Sequence, residues 1–201
     1  MDAKQLGTLL VVTEAMAGEL TDYLMDTDLY RQMIVKTPSG TKQPKMTLGS
    51  LLENVETLHF YQDTLTEDQR ARLAAVDGII DLNRKSFSRQ WEDLLRRELK
   101  ANVDSYKWYL EDMARREEAL EDYGSEAHVR TRIEVIQREL AGNTAAAEER
   151  RELEKLDAQL RRMLHSDRYM GPKGEESRYP AEQAWWLYGS PASGEDQQLS
   201  Y

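Results

Sequence analysis

Residues 66–113 read TEDQRARLAAVDGIIDLNRKSFSRQWEDLLRRELKANVDSYKWYLEDM. The stretch has no proline and one glycine, Gly78. Leu73, Val76 and Ile80, then Phe87, Trp91, Leu94, Leu95, Leu99, Val103, Tyr106, Leu110 and Met113, recur at steps of three and four. That spacing lays one apolar stripe along an α-helix. Thr66-Glu67-Asp68-Gln69 is a capping box, in which the Thr hydroxyl accepts from the N–H three residues on and Gln69 reaches back. Asn83 interrupts the stripe. Read as one helix to about Asp122, the segment would be roughly 85 Å long. The alternative is a break near Asn83 to Ser88, with Ser86 or Ser88 capping a second helix. No clear stop signal lies between Ile80 and Trp91, so a continuous or kinked helix is the preferred reading.

Working outward, no proline occurs between Lys45 and Gly171. Proline removes an N–H and clashes with the preceding turn, so its absence permits long helices. A first helix is predicted from about Ala3 to Ile34, with Leu6, Leu10, Thr13, Ala17, Leu20 and Leu24 on its inner face, ending at Thr37-Pro38-Ser39-Gly40. A second runs from Thr47 to about Asp63, with Leu48, Leu51, Leu52, Val55 and Leu58 inward. Gly124 suits a helix end and Ser125 the next N-cap. Val129, Ile133, Ile136 and Leu140, then Gly142-Asn143, then Leu153, Leu156, Leu160 and Met163, predict an antiparallel helical hairpin with heptad-like seams. Asp157 and Arg161, four apart, are positioned to pair on its exposed face. Runs with the two-residue period of strands are nearly absent.

The expected fold is therefore all-α: an antiparallel bundle with one or more long helices, a helical hairpin and a short C-terminal aromatic helix. Residues 1–166 form the bundle domain, 167–189 a loop and aromatic helix docking on it or on a partner, and 190–201 a flexible acidic tail.

Composition narrows the function. Asp and Glu total 37 against 27 Lys and Arg, a net charge of −10. Nucleic-acid affinity comes mainly from cations neutralising phosphates, so nucleic acid is an unexpected partner, and anionic membranes are disfavoured on the same ground. The absence of cysteine excludes disulfides, thiolate metal sites and a Cys nucleophile. Ala15-Met16-Ala17 has the small residues of a signal-peptide cleavage site, but Met1 to Gln5 carries one acid and one base and the apolar stretch is broken. No transmembrane run is present, and the expected location is the cytoplasm.

Four groups of residues are candidates for chemistry or binding. Trp185, Trp186, Leu187 and Tyr188 follow the helix-starting Pro180, and five of the sixteen aromatics fall between Tyr169 and Tyr188. Such a cluster either plugs a gap in the bundle or anchors a partner, since Trp and Tyr dominate interface energetics. Lys36, Lys42 and Lys45 precede a helix N-terminus, a place that binds anions through free N–H groups. Glu53, Glu56 and His59, spaced by three, include the Glu-x-x-His element of carboxylate-bridged metal bundles, but no second such element occurs. His59, His128 and His165 lie on separate elements without local ligand spacing. No Gly-x-Ser-x-Gly elbow or phosphate-binding loop is present, and no cofactor is expected.

Thr47-Leu48-Gly49-Ser50-Leu51-Leu52, together with Glu126-Ala127-His128-Val129-Arg130 and Ile133, resembles segments of the DinB-like metal-dependent bundles. The resemblance covers two short stretches and implies a helical bundle. Where that family carries metal-binding histidines, this chain has Asn54, Ser125 and Val129, so the resemblance implies the fold without the usual metal site. The resulting expectation is a protein–protein interaction or scaffold protein without catalytic activity, forming homo-oligomers or binding a protein partner; the alternative is a metal-binding bundle.

Overall fold

The computed structural model describes residues 1–113, 115 and 123–191. Among them are seven α-helices and three small two-stranded ladders: a mostly α fold. The chain divides into two compact units, Met1–Glu98 and Leu99–Tyr201.

In the first unit, α1 (Ala3–Gly18) opens on a capping box of Asp2 and Gln5. It is followed by α2 (Leu20–Met25). The helix expected to reach Ile34 stops here. The Asp26 carboxylate accepts from the N–H groups of Thr27 and Asp28, offering the backbone a local alternative to the helix. The chain then folds into a hairpin arm. β1 (Arg31–Gln32) pairs with β4 (Lys45–Met46), and β2 (Val35–Thr37) pairs with β3 (Gly40–Lys42), both antiparallel. Pro38 and Ser39 form the two-residue turn, and Gly40 takes φ 101°, the left-handed region that a side chain disfavours. Val35 and Met46 are the arm's buried residues.

α3 (Leu48–Phe60) begins at a capping box of Thr47 and Ser50. α4 (Glu67–Ser86) begins at the predicted box of Thr66 and Gln69. Leu6 and Leu10 of α1, Leu58 of α3, Leu65 just before α4 and Leu73 of α4 form one buried apolar cluster. Two polar contacts tie the helices laterally. Arg72 donates to both carboxylate oxygens of Glu14, and the Thr21 hydroxyl donates to Asn83 Oδ1 at 2.9 Å. The second contact explains why an asparagine interrupts the α4 stripe: Asn83 is buried, and its amide also donates to the Ile79 carbonyl.

α5 spans Ser88–Met113, so the preferred single helix from residue 66 is replaced by two. The interruption is one residue, Phe87, at φ −127° and ψ 39°. Backbone bonds of helical spacing persist on both sides, from Phe87 N–H to Asn83 and from Trp91 N–H to Phe87. The rest of the stretch expected to be helical as far as Asp122 lies outside the described residues, apart from Arg115.

In the second unit, α6 (Tyr123–Glu139) and α7 (Ala147–Met163) form the predicted hairpin. Gly142 turns the chain at φ 85°, and Asn143 caps the 3-10 turn that leads into α7. Arg150 secures the turn by donating to the carbonyls of Leu140 and Asn143. Gly124 and Ser125, expected to end one helix and cap the next, are the second and third described residues of α6, after the buried Tyr123. Beyond α7 the chain forms β5 (Leu164–Tyr169), antiparallel to β6 (Tyr188–Pro191) with an irregular register between His165 and Tyr169. The aromatic segment is thus a single 3-10 turn, Trp185–Leu187, leading into a strand, not an α-helix from Ala181 to Tyr188. Pairing with β5 competes successfully with a helix that Gly189, at φ 100°, would in any case have closed. Of the expected tail, Ser190 and Pro191 belong to β6, and 192–201 lie outside the described residues.

Candidate functional site

The aromatic segment is anchored within its own unit. Trp186 is 2% exposed, its indole Nε1–H donates to Thr131 Oγ1 at 3.0 Å, and its carbonyl accepts from the Tyr123 hydroxyl. The Arg130 guanidinium lies 4.0 Å from the centre of its ring. Arg130 is buried and donates twice to Asp157, at 2.9 Å each, in the two-pronged geometry that suits a carboxylate. Burial opposes its charge, but the Asp157 hydrogen bonds and negative charge outweigh it, so its pKa stays above the ordinary arginine value. Asp157 therefore serves a buried pair across the hairpin rather than a surface pair with Arg161. Arg161 instead lies 4.3 Å over the half-buried Trp185 ring. Leu187 is buried and its carbonyl accepts from Met170 N–H. The Tyr188 hydroxyl donates to the Tyr179 carbonyl.

Tyr106 and Tyr123 are pushed far above the usual phenol range, first by burial. For Tyr106 the nearby Asp157 carboxylate adds to the effect, and for Tyr123 so do Tyr109 and Asp157. A cavity of about 310 Å³ opens beside this cluster between Gly124, His128, Thr131, Pro172 and Tyr179. The Thr131 hydroxyl in its wall is already used on both sides, donating to the Ala127 carbonyl and accepting from Trp186. Gly171 borders the same cavity. A Cβ there would meet the end of the Tyr169 ring, so any other residue requires that side chain to shift.

The predicted metal triad does not converge. Glu53 is buried, Glu56 half-buried and His59 exposed, and the His59 imidazole pairs with Asp77 of α4 at 3.1 Å. The reason is geometric: steps of three fall short of a full turn by ~60° each, so Glu53 and His59 diverge around the helix. Among the described residues no three His, Asp or Glu side chains are grouped to hold a metal ion.

The lysine group is also rearranged. Lys36 pairs with Thr41 and Lys42 with Val35 in one ladder, and neighbouring residues of a strand point to opposite faces. Lys36 is thereby separated from Lys42. The helix N-terminus these lysines precede already holds an anion of the protein's own. Glu98, 1% exposed, accepts from the Thr47 hydroxyl at 2.5 Å and the Gly49 N–H at 2.8 Å. Its charge helps burial to drive the neighbouring Tyr23 phenol far above its usual range.

Lys42 and Lys45 instead both line a groove of about 560 Å³ in the first unit. Its floor is Leu9, Val12 and Met16 of α1 with Pro44, and its α3 wall presents Ser50 and Asn54. The predicted inner face of α1 is the other stripe, through Leu6 and Leu10. The groove's signal in the sequence is the second apolar row, Leu9, Val12 and Met16, at steps of three and four. Comparison with protein-family models, curated proteins and solved structures gives no match to this chain.

Proposed function

We propose that the chain is a helical interaction protein without catalytic activity, binding a protein partner or further copies of itself. The observation that carries this reading is Trp108, which stands 77% exposed on α5 while Tyr106, Tyr109 and Leu110 fill the buried face of the same helix. An indole in water takes no part in the core, and Trp is the residue most enriched where interfaces concentrate their energy. Ile79 and Leu82, exposed and three apart on α4, support the same reading. No helix among the described residues is long and apolar enough to cross a membrane. The charge of −10 argues against nucleic acid and anionic lipid as partners, and a cytoplasmic location belongs to the same proposal.

Light scattering after size exclusion, over a range of concentrations, tests it. We expect a mass above the monomer that falls toward the monomer in Trp108→Ala, with unchanged helicity. At an interface centre the substitution weakens association about 30-fold or more. If the chain is monomeric throughout, the proteins retained by wild type and by the variant are compared; identical sets would remove the proposal. Stoichiometric zinc, iron or manganese in the eluted peak would instead favour a metal-binding bundle.

A further inference from the structure

We infer that the groove of the first unit is a binding site for a small aliphatic carboxylate of the medium-chain fatty acid class. This does not rest on the interaction reading above, whose carrying residue, Trp108, belongs to the other unit. The groove's volume, about 560 Å³, lies in the range of small-molecule sites, which run roughly 300–1,000 Å³ with mostly apolar walls and a few placed polar groups. Leu9, Val12 and Met16 are spaced along ~10 Å of one side of α1, where half-buried Leu9 fronts the groove and Val12 and Met16, 9% and 2% exposed, close its floor behind, a base against which an alkyl chain would lie.

The polar groups fix the sign of the head group. In a chain where acids outnumber bases 37 to 27, no Asp or Glu among the described residues lines the groove, whereas Lys42 and Lys45 do. Lys42 forms no ion pair among the described residues. Lys45 is held with its Nζ 3.7 Å over the Tyr30 ring, a contact that positions the charge without neutralising it. Asn54, on the facing wall, donates only to Met16 Sδ at 3.6 Å, a weak acceptor that a carboxylate oxygen would displace. At one side the groove is bounded by Thr8 and Ser39, whose hydroxyls are 2.7 Å apart; the Thr8 hydroxyl donates to the Lys4 carbonyl and so accepts from Ser39. An apolar trough with two cations at its edge and no competing anion matches a molecule with an alkyl body and one terminal negative charge.

Calorimetric titration of the full chain with hexanoate, octanoate and decanoate tests the inference, with octylamine and octanol as charge controls. We expect saturable one-to-one binding that tightens about threefold to fourfold per methylene. Octylamine should bind at least about 10-fold more weakly than octanoate. The double variant K42E/K45E, both positions exposed, should lose octanoate binding by the same factor or more while keeping its helicity and Tm. Asn54→Asp, which puts a carboxylate in the wall, should lose it too. Any of four results would overturn the inference: no saturable binding, equal affinity for octanoate and octylamine, unchanged affinity in K42E/K45E, or tighter binding of a short acidic peptide than of decanoate. The last would make the occupant a protein segment.

Discussion

Arg130 shows what a single side chain does for this molecule. Its guanidinium is buried, doubly bonded to Asp157 and laid against the Trp186 ring, so one cation joins α6, α7 and the aromatic turn. Breaking a buried pair from one side leaves an uncompensated charge, which costs about 3–5 kcal/mol, whereas removing both partners costs far less than the sum. We therefore expect Arg130→Met and Asp157→Leu each to destabilise by that amount in urea unfolding, and the double variant to recover much of the loss. Trp186→Ala should cost a similar ~3–5 kcal/mol, because the ring is buried and leaves a cavity. Additive single losses in the double variant would mean that Arg130 and Asp157 act independently despite their contact. Lysine is no substitute at 130, since it lacks the planar fork that serves Asp157 and the indole together.

At the scale of elements, the N-terminus of α3 is the most specific arrangement. Glu98 from α5 supplies the negative charge that a helix N-terminus favours, and it satisfies one donor that has no partner within the helix, the buried Gly49 N–H. Glu98→Ala should lower stability by about 2–4 kcal/mol, since hydrogen bonds to a charged group are worth roughly 1.5–3 kcal/mol each. Glu98→Gln should lose less, because the amide keeps one accepting oxygen. Urea midpoints at constant m-value measure both, and a Glu98→Gln protein as stable as wild type would mean that burying the carboxylate costs what its bonds return.

The helices themselves were legible in the sequence because they announce themselves through caps and period. Thr66 and Gln69, Gly142 and Asn143, and the stripe from Trp91 to Met113 all stand where the pattern put them. The strands were not legible, for a physical reason. β1 to β4 are two or three residues long, too short for alternation to register, and Leu164–Tyr169 is largely polar and identified only by its pairing with a segment more than eighteen residues later. The groove was half legible. Lys42 and Lys45 stand out in the sequence, but grouping them with Lys36 required the loop to be a loop; the ladder turns Lys36 to the other face.

For the whole molecule, the buried tyrosines set a limit at high pH. Tyr23 in the first unit, and Tyr106 and Tyr123 in the second, have phenol pKa values raised well above the ordinary ~10, each mainly through burial. A raised folded-state pKa gives stability that is complete below the unfolded value and is lost as pH rises beyond it. Stability should thus be insensitive to these groups up to about pH 10 and then fall by ~1.4 kcal/mol per pH unit for each. Tyrosinate absorbance followed beside circular dichroism should show a first group of exposed phenols ionising with helix intact, and the rest only as helix is lost. Full ionisation of all ten tyrosines before any loss of helix would contradict the burial of these three. The ladder of β5 with β6 has another consequence. The exposed turn at Lys173 and Gly174 lies between strands already joined by hydrogen bonds, and bonds from the Trp186 indole to Thr131 and from the Tyr123 hydroxyl to the Trp186 carbonyl hold the 3-10 turn that leads into the later strand. The covalent path through that turn is then redundant: a protease that cuts it opens the chain without releasing the piece downstream, and the nicked protein travels as one.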